Sequence, residues 1–308
     1  MKFAVLGTGH WAAETHAVAI SDHPDTELVS VWGRDNAKAT ALAERFGARA
    51  HTDVEAALAD VDAVAIALPP AIQAPLASQA ARAGKHLLLD KPLALTIPAA
   101  DDVVNAVAEG GVANVVFFTN RFIPKVTAFL AEMAPGEWDG ARVAMLGGIF
   151  GDDSPYRDSA WRKEYGGLWD LGPHALSLLI PVLGPVATVT AAPAPYSTTH
   201  LILGHTTGAT STVALSLAMP PGTEHDDFTF YGAAGTRVAP AGTGNPVPAL
   251  RIAIDELLEQ IRTGRRDHPC DVRFARDVTA ILDAAQRSSD TGKRIDLSPL
   301  TNPTPDPR

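Results

Sequence analysis

Short apolar runs alternate with amphipathic ones through the first 120 residues. Positions 3–6, 28–32, 63–68, 86–89 and 112–119 are apolar or β-branched and of strand length. The alanine-rich stretches between them, 11–21, 37–46, 54–58, 72–83 and 98–108, repeat apolar residues at helical spacing. Strands apolar on both faces that alternate with helices predict a parallel sheet covered on both sides, the doubly wound α/β plan. Gly47 and Gly84 stand where helices end in a left-handed residue, Pro69-Pro70 closes a strand, and Thr52-Asp53 precedes a helix as a cap.

The rhythm changes after Asn120. Positions 122–134 read as a helix, 141–150 as a strand, 151–167 as a polar loop and 173–183 as a second helix. Short runs at 186–192, 200–205, 211–217 and 228–231, broken by Gly, Pro and Thr, predict an open, mostly antiparallel sheet. Helices at 250–263 and 271–288 follow. A chain of 308 residues exceeds what one core usually serves. The expected division is a dinucleotide-binding domain at 1–120, an α+β domain at 121–297 and a proline-rich flexible tail at 298–308.

Composition narrows the classes. A net charge of −10 argues against a nucleic-acid surface or an acidic membrane as partner. The single cysteine, Cys270, excludes an intrachain disulfide and a multi-cysteine metal site. His200 and His205, five apart on an expected strand, face opposite sides, and no metal is expected. No serine lies in a nucleophile elbow, and no apolar run is long enough for a bilayer. The opening residues lead straight into a strand without a secretory pattern, so a cytoplasmic protein is expected.

The first strand runs into Gly7-Thr8-Gly9-His10-Trp11-Ala12. Gly7, Gly9 and Ala12 fit G-x-G-x-x-G/A: a tight turn, a bare backbone for a pyrophosphate, and a small residue where helix and strand pack. These six residues are expected to form the phosphate end of a Rossmann dinucleotide site. Leu68-Pro69 and Asp90-Lys91 end two further strands on the ligand-binding edge and are expected to line the same cofactor. At the end of the second strand, Gly33 occupies the place of the acid that usually selects NAD, and Arg34 follows. A guanidinium suits a 2′-phosphate, so NADP is expected, with NAD left open by Asp35.

Four features, in order, resemble the glucose–fructose oxidoreductase / inositol dehydrogenase / MocA (Gfo/Idh/MocA) family. They are the glycine turn, the run Gly84-Lys85-His86-Leu87-Leu88-Leu89-Asp90-Lys91-Pro92, Asn120-Arg121-Phe122, and Gly166-Gly167-Leu168-Trp169-Asp170-Leu171-Gly172-Pro173-His174. The resemblance implies a Rossmann domain followed by an open-sheet domain, with the substrate between them, and a homodimer or larger homo-oligomer. It implies Lys91, Asp170 and His174 as the catalytic set, and Asn120, Arg121, Trp161 and Arg162 as substrate contacts.

The chemistry agrees. Oxidising a secondary alcohol requires a base, and imidazole titrates near neutrality. Lys91 can hydrogen-bond the same oxygen and relay its proton, and Asp170 can orient His174 or bind a neighbouring hydroxyl. Which of Lys91 and His174 takes the proton stays open. The expected activity is hydride transfer between NADP and a CH–OH/C=O group of a sugar, cyclitol or polyol. The alternatives are a non-sugar substrate such as a dihydrodiol, or a non-catalytic NADP-binding regulator. Asp90, Gln73 and Ser177 depart from the family's usual Glu, His and acid.

Overall fold

The computed structural model describes residues 1–133, 138–233, 235–242 and 244–297. The proposed tail at 298–308 and the last residue of the helix expected to end at Ala134 lie outside the described residues. The chain forms two compact units, one of 1–129 with 240–279 and the other of 130–239 with 280–308, described here to 297.

In the first unit, β1 (Lys2–Leu6), β2 (Glu27–Trp32), β3 (Arg49–His51), β4 (Ala63–Ile66), β5 (His86–Asp90) and β6 (Asn114–Phe117) form one sheet. Its order is β3-β2-β1-β4-β5-β6 and every pairing is parallel, the Rossmann arrangement. The helices between the strands are α1 (Val18–Ser21), preceded by a π-helical stretch Ala12–Ala17, then α2 (Asn36–Phe46), α3 (Val54–Leu58), α4 (Pro70–Arg82) and α5 (Ile97–Gly110). Phe3, Val5, Val64, Ile66 and Leu87–Leu89 have no solvent exposure. Burial on both faces of the strands is why they read as continuous apolar runs. A one-turn helix Thr119–Phe122 and α6 (Pro124–Glu132) follow β6. The three-residue β3 carries too little pattern to be predicted.

In the second unit, β7 (Gly140–Leu146), α7 (Ala160–Leu183), β8 (Val186–Ala194), β9 (Thr198–His205), β10 (Thr210–Ser216), β11 (His225–Gly232) and β12 (Gly235–Val238) come in turn. After α8 (Val247–Thr263) and α9 (Val272–Thr291), β13 (Ile295–Asp296) joins the same sheet, ordered β12-β11-β7-β10-β9-β8-β13. Only β7 and β10 pair in parallel; the other pairings are antiparallel. α7 covers one face with Leu168, Leu176 and Leu179, all at most 3% exposed. The opposite face carries Ile202 and Tyr231, 54% and 43% exposed.

Two expectations differ from the structure. The loop expected at 151–167 gives way at Ala160 to α7, which runs to Leu183 through a kink at Gly166 (φ 62°, ψ −161°). Gly166 and Pro173 read as breakers along the chain. At Gly166 the backbone leaves helical geometry, so α7 is two helical stretches meeting at a kink, whereas Pro173 lies inside the second of them. The second difference is the division of the chain: 121–129 and 240–279 belong to the first unit.

The reason lies at β6, an edge strand with one side unpaired. The segment 240–279 covers that side, where Val116 N–H donates to Cys270 C=O (2.7 Å) and Val272 N–H donates to Asn114 Oδ1 (2.8 Å). Gln260 Nε2 donates to the Asn114 carbonyl (3.3 Å). A sheet edge needs such cover, but sequence spacing does not reveal which segment supplies it. Asn114 is 1% exposed, so Asn114→Ala leaves the Val272 N–H buried without its acceptor. Urea unfolding is expected to show a loss of about 1–3 kcal/mol; an unchanged midpoint would remove Asn114 from this role.

Candidate active site

The carboxyl edge of the first sheet collects most of the expected cofactor residues. β1 ends at Leu6, and Gly7 turns with φ +136°. A Cβ on Gly7 would lie 2.5 Å from the Ala67 carbonyl oxygen and 3.2 Å from Ala12 Cβ. Gly7 N–H donates to Trp32 O (2.9 Å) and Ala67 N–H to Leu6 O (3.0 Å), tying the turn to the ends of β2 and β4. Gly9 differs: nothing lies within 4 Å of where its Cβ would stand. The helix then opens with Ala13 N–H donating to Gly9 O (3.0 Å). The first turn of a helix has N–H groups without intrahelical acceptors and a positive dipole end. A bare backbone beside that end fits a dinucleotide pyrophosphate. Thr8 and Trp11 are half-buried and His10 is exposed.

At the end of β2, Gly33 is buried, and a Cβ on it would come within 2.6 Å of Thr8 Cγ2. Gly33 thus packs directly against the Thr8 side chain. Asp35 Oδ1 accepts from Ala37 N–H (3.0 Å) and Lys38 N–H (3.2 Å) as the cap of α2. Arg34 is exposed, with no ion pair among the described residues.

Leu68 and Pro69 are half-buried after β4, with Pro69 leading into α4. Asn120 and Arg121 are half-buried in the one-turn helix after β6. Lys91, half-buried, follows β5 through a cis peptide bond to Pro92. The backbone on either side of Lys91 is held from α4. Gln73 Nε2 donates to Asp90 O (2.7 Å) and Pro92 O (3.1 Å), and Gln73 Oε1 accepts from Asp90 N–H (2.9 Å). The Asp90 carboxylate lies 3.1 Å from His16 Nε2, in the π-helical stretch after the glycine turn.

The second unit carries the other group on α7. Arg162 Nε donates to Asp170 Oδ2 at 3.0 Å, and Nη1 donates to Ser159 Oγ at 3.4 Å. The guanidinium also lies over the rings of Tyr156 (4.4 Å) and Trp161 (4.6 Å). Asp170 is 7% exposed inside the helix, not at its cap. His174 is half-buried one turn further along, on the same face as Asp170. Ser177 Oγ donates to the His174 carbonyl (2.8 Å).

Three contributions escaped sequence reasoning: His16, the clamp made by Gln73, and the ring–guanidinium–ring stack. His16 left a signal, as a polar residue on an otherwise apolar helix face needs a partner. The remaining candidates for chemistry are structural. Burial pushes the Cys270 thiol up to about 12, so it is no nucleophile at neutral pH. Burial lowers the pKa of His205, whose Nδ1 meets Gly184 O (2.7 Å) and Nε2 meets Ser211 Oγ (2.9 Å). Among the described residues no group of three or more His, Cys, Asp or Glu is placed to hold a metal ion, and no helix is long and apolar enough to cross a membrane.

Residues 1–118 match the model of an oxidoreductase family, GFO_IDH_MocA, described as having an NAD-binding Rossmann fold. Over these residues the chain is similar to the Gfo/Idh/MocA oxidoreductases. A dTDP-3,4-didehydro-2,6-dideoxy-α-D-glucose 3-reductase of Streptomyces antibioticus is 30% identical over 192 residues, 60% of this chain and 57% of that one. An inositol 2-dehydrogenase of Rhizobium meliloti is 34% identical over 129 residues, 42% of this chain and 39% of that one. The chain thus spans little more than half the length of the first of these curated relatives. The crystal structure of GenD2 from gentamicin A biosynthesis, in complex with NAD, superposes with a TM-score of 0.84 at 26% identity, covering 97% of this chain and 96% of that one.

The two glycines of the turn are expected to separate stability from binding. Gly7→Ala forces a side chain onto a carbonyl at positive φ and should cost about 2–4 kcal/mol in urea unfolding. Gly9→Val should leave the midpoint unchanged and weaken dinucleotide binding about tenfold or more by calorimetry. Equal dinucleotide affinity in Gly9→Val would move the phosphates away from this turn.

Proposed function

We propose that the chain is an NADP-preferring oxidoreductase that interconverts CH–OH and C=O on a small, neutral, polyhydroxylated substrate such as a sugar, cyclitol or polyol. The observation that carries this reading is Lys91, a cation clamped at the end of β5 on the edge that bears the dinucleotide turn. The bound nicotinamide supplies the hydride acceptor or donor. Lys91 donates a hydrogen bond to the reacting oxygen and stabilises its alkoxide character. His174 is the imidazole suited to exchange the hydroxyl proton, with Asp170 one turn before it on the same helix face.

The Arg162–Asp170 pair supports a neutral substrate. The carboxylate balances the guanidinium, which suits a substrate without net charge. The similarity to a sugar reductase and an inositol dehydrogenase points the same way. NADP preference rests on Gly33, Asp35 and Arg34: no acid stands at 33, Asp35 is engaged as a cap, and Arg34 is left for a 2′-phosphate. The open face of the second sheet, with Ile202 and Tyr231 exposed, is proposed to pair two copies of the chain.

A panel of sugars, inositols and dihydrodiols, followed by reduced-nicotinamide absorbance, is expected to yield a turned-over sugar or cyclitol. Lys91→Met should then lower kcat by about 10²–10⁴ while the dinucleotide Kd stays within about threefold. Turnover equal to wild type would take Lys91 out of the chemistry. Arg34→Ala should weaken NADP⁺ about tenfold and leave NAD⁺ unaffected. Tighter binding of NAD⁺ than NADP⁺ by the unmodified chain would overturn the cofactor preference.

A further inference from the structure

His16 lies in the π-helical stretch Ala12–Ala17, directly after the glycine turn. Its ring has no solvent exposure and stands edge-on to Phe117, with centroids 6.5 Å apart at 89°. Only one ring nitrogen has a partner: Nε2 meets Asp90 Oδ2 at 3.1 Å, whereas Nδ1 is buried without a hydrogen bond. A proton on Nδ1 would be a buried donor without an acceptor, so the proton sits on Nε2 and is donated to the carboxylate. Asp90 is 8% exposed, immediately before Lys91. Gln73, also without exposure, holds the main chain at Asp90 and at Pro92 and reaches Leu93 O at 3.4 Å. The residue on either side of Lys91 is thus fixed through buried polar contacts to two helices, one of which begins at the dinucleotide turn. Wide turns of this kind recur at functional sites.

We infer that His16 is a positioning residue. Through Asp90, and with Gln73 holding the backbone, it sets the direction of the Lys91 side chain relative to the turn that holds the cofactor. The inference rests on the proposed role of Lys91 and adds the part that aims it. Asp90 is one methylene shorter than the glutamate usual at this place in the family. Here His16 supplies the donor that the short carboxylate reaches, and the amide of Gln73 holds the strand end. The three residues act as one unit. A site left without such support loses geometry before it loses fold.

The test reads Lys91 without a substrate. Full-length protein is treated with limiting acetic anhydride at one pH, and the acetylation of each lysine is followed by mass spectrometry. Lys38 and Lys125, both exposed, are the internal references. His16→Phe keeps a ring against Phe117 and removes the donor. His16→Gln restores an N–H at similar reach. In His16→Phe the Lys91 rate should rise by about threefold or more relative to the references, and in His16→Gln it should return close to wild type. With a substrate from the panel, kcat of His16→Phe should fall about tenfold or more, while KM and the dinucleotide Kd stay within about threefold.

If His16→Phe does not fold, Asp90→Asn, which keeps the volume and removes the charge, takes its place with the same expected shift. An unchanged Lys91 rate in a folded variant, a change shared equally by Lys38 and Lys125, or no recovery in His16→Gln would each overturn the inference. Because the labelling needs no turnover, a Lys91 that responds to His16 in a protein inactive on every substrate would sustain the brace and overturn the proposed reaction.

Discussion

Between Gly7 and the Ala67 carbonyl there is no room for one more carbon atom. That constraint brings the end of β1 against the end of β4, and it lets the following helix start with Ala12 packed beside the turn. Everything placed on the carboxyl edge of the first sheet follows from it. The strands are parallel, so their ends lie on one side, and the turn opens its bare backbone toward that same side. The order β3-β2-β1-β4-β5-β6 then puts Gly33, Gly7, Leu68, Lys91 and Asn120 after successive strands, although they are spread over more than 110 positions of the chain.

The buried polar groups show how this edge is made specific. A parallel sheet of apolar strands is stabilised mainly by burial, which is non-directional. Direction comes from the few groups that must find hydrogen-bond partners inside it. Gln73, His16 and Asp90 meet at the end of β5, and Asn114 accepts the N–H of Val272 at the end of the sheet. Each would carry a desolvation penalty if unpaired, so each selects one arrangement of the backbone around it. In the second unit the same logic operates on α7, where Arg162, laid over two aromatic rings, meets Asp170 across the bend at Gly166.

Much of this was legible along the chain. The Rossmann half was legible because strands buried on both faces carry an unbroken apolar signature, and because Gly7, Gly9 and Ala12 are demanded by backbone geometry at known offsets. The reading weakened where local signals oppose tertiary packing. Gly166 does interrupt the helix at a kink, but a helical stretch precedes it where a loop was expected, and Pro173 lies inside the stretch that follows. The cover of the β6 edge by 240–279 has no sequence signature, since any amphipathic segment could supply it. The partner of the Asp90 carboxylate was hidden for a related reason: His16 lies 74 positions earlier, and no local spacing links the two.

The sequence by itself determined the parallel alternation, the dinucleotide turn, and the residue types able to move a proton, because these depend on periodicity and on short-range backbone geometry. The tertiary structure decided which groups meet. Thr8 packs against Gly33, His16 takes the Asp90 carboxylate, Asp170 takes Arg162, and the last third of the chain is shared between the two units. Those pairings depend on distances between residues far apart in the chain, and only folding sets such distances.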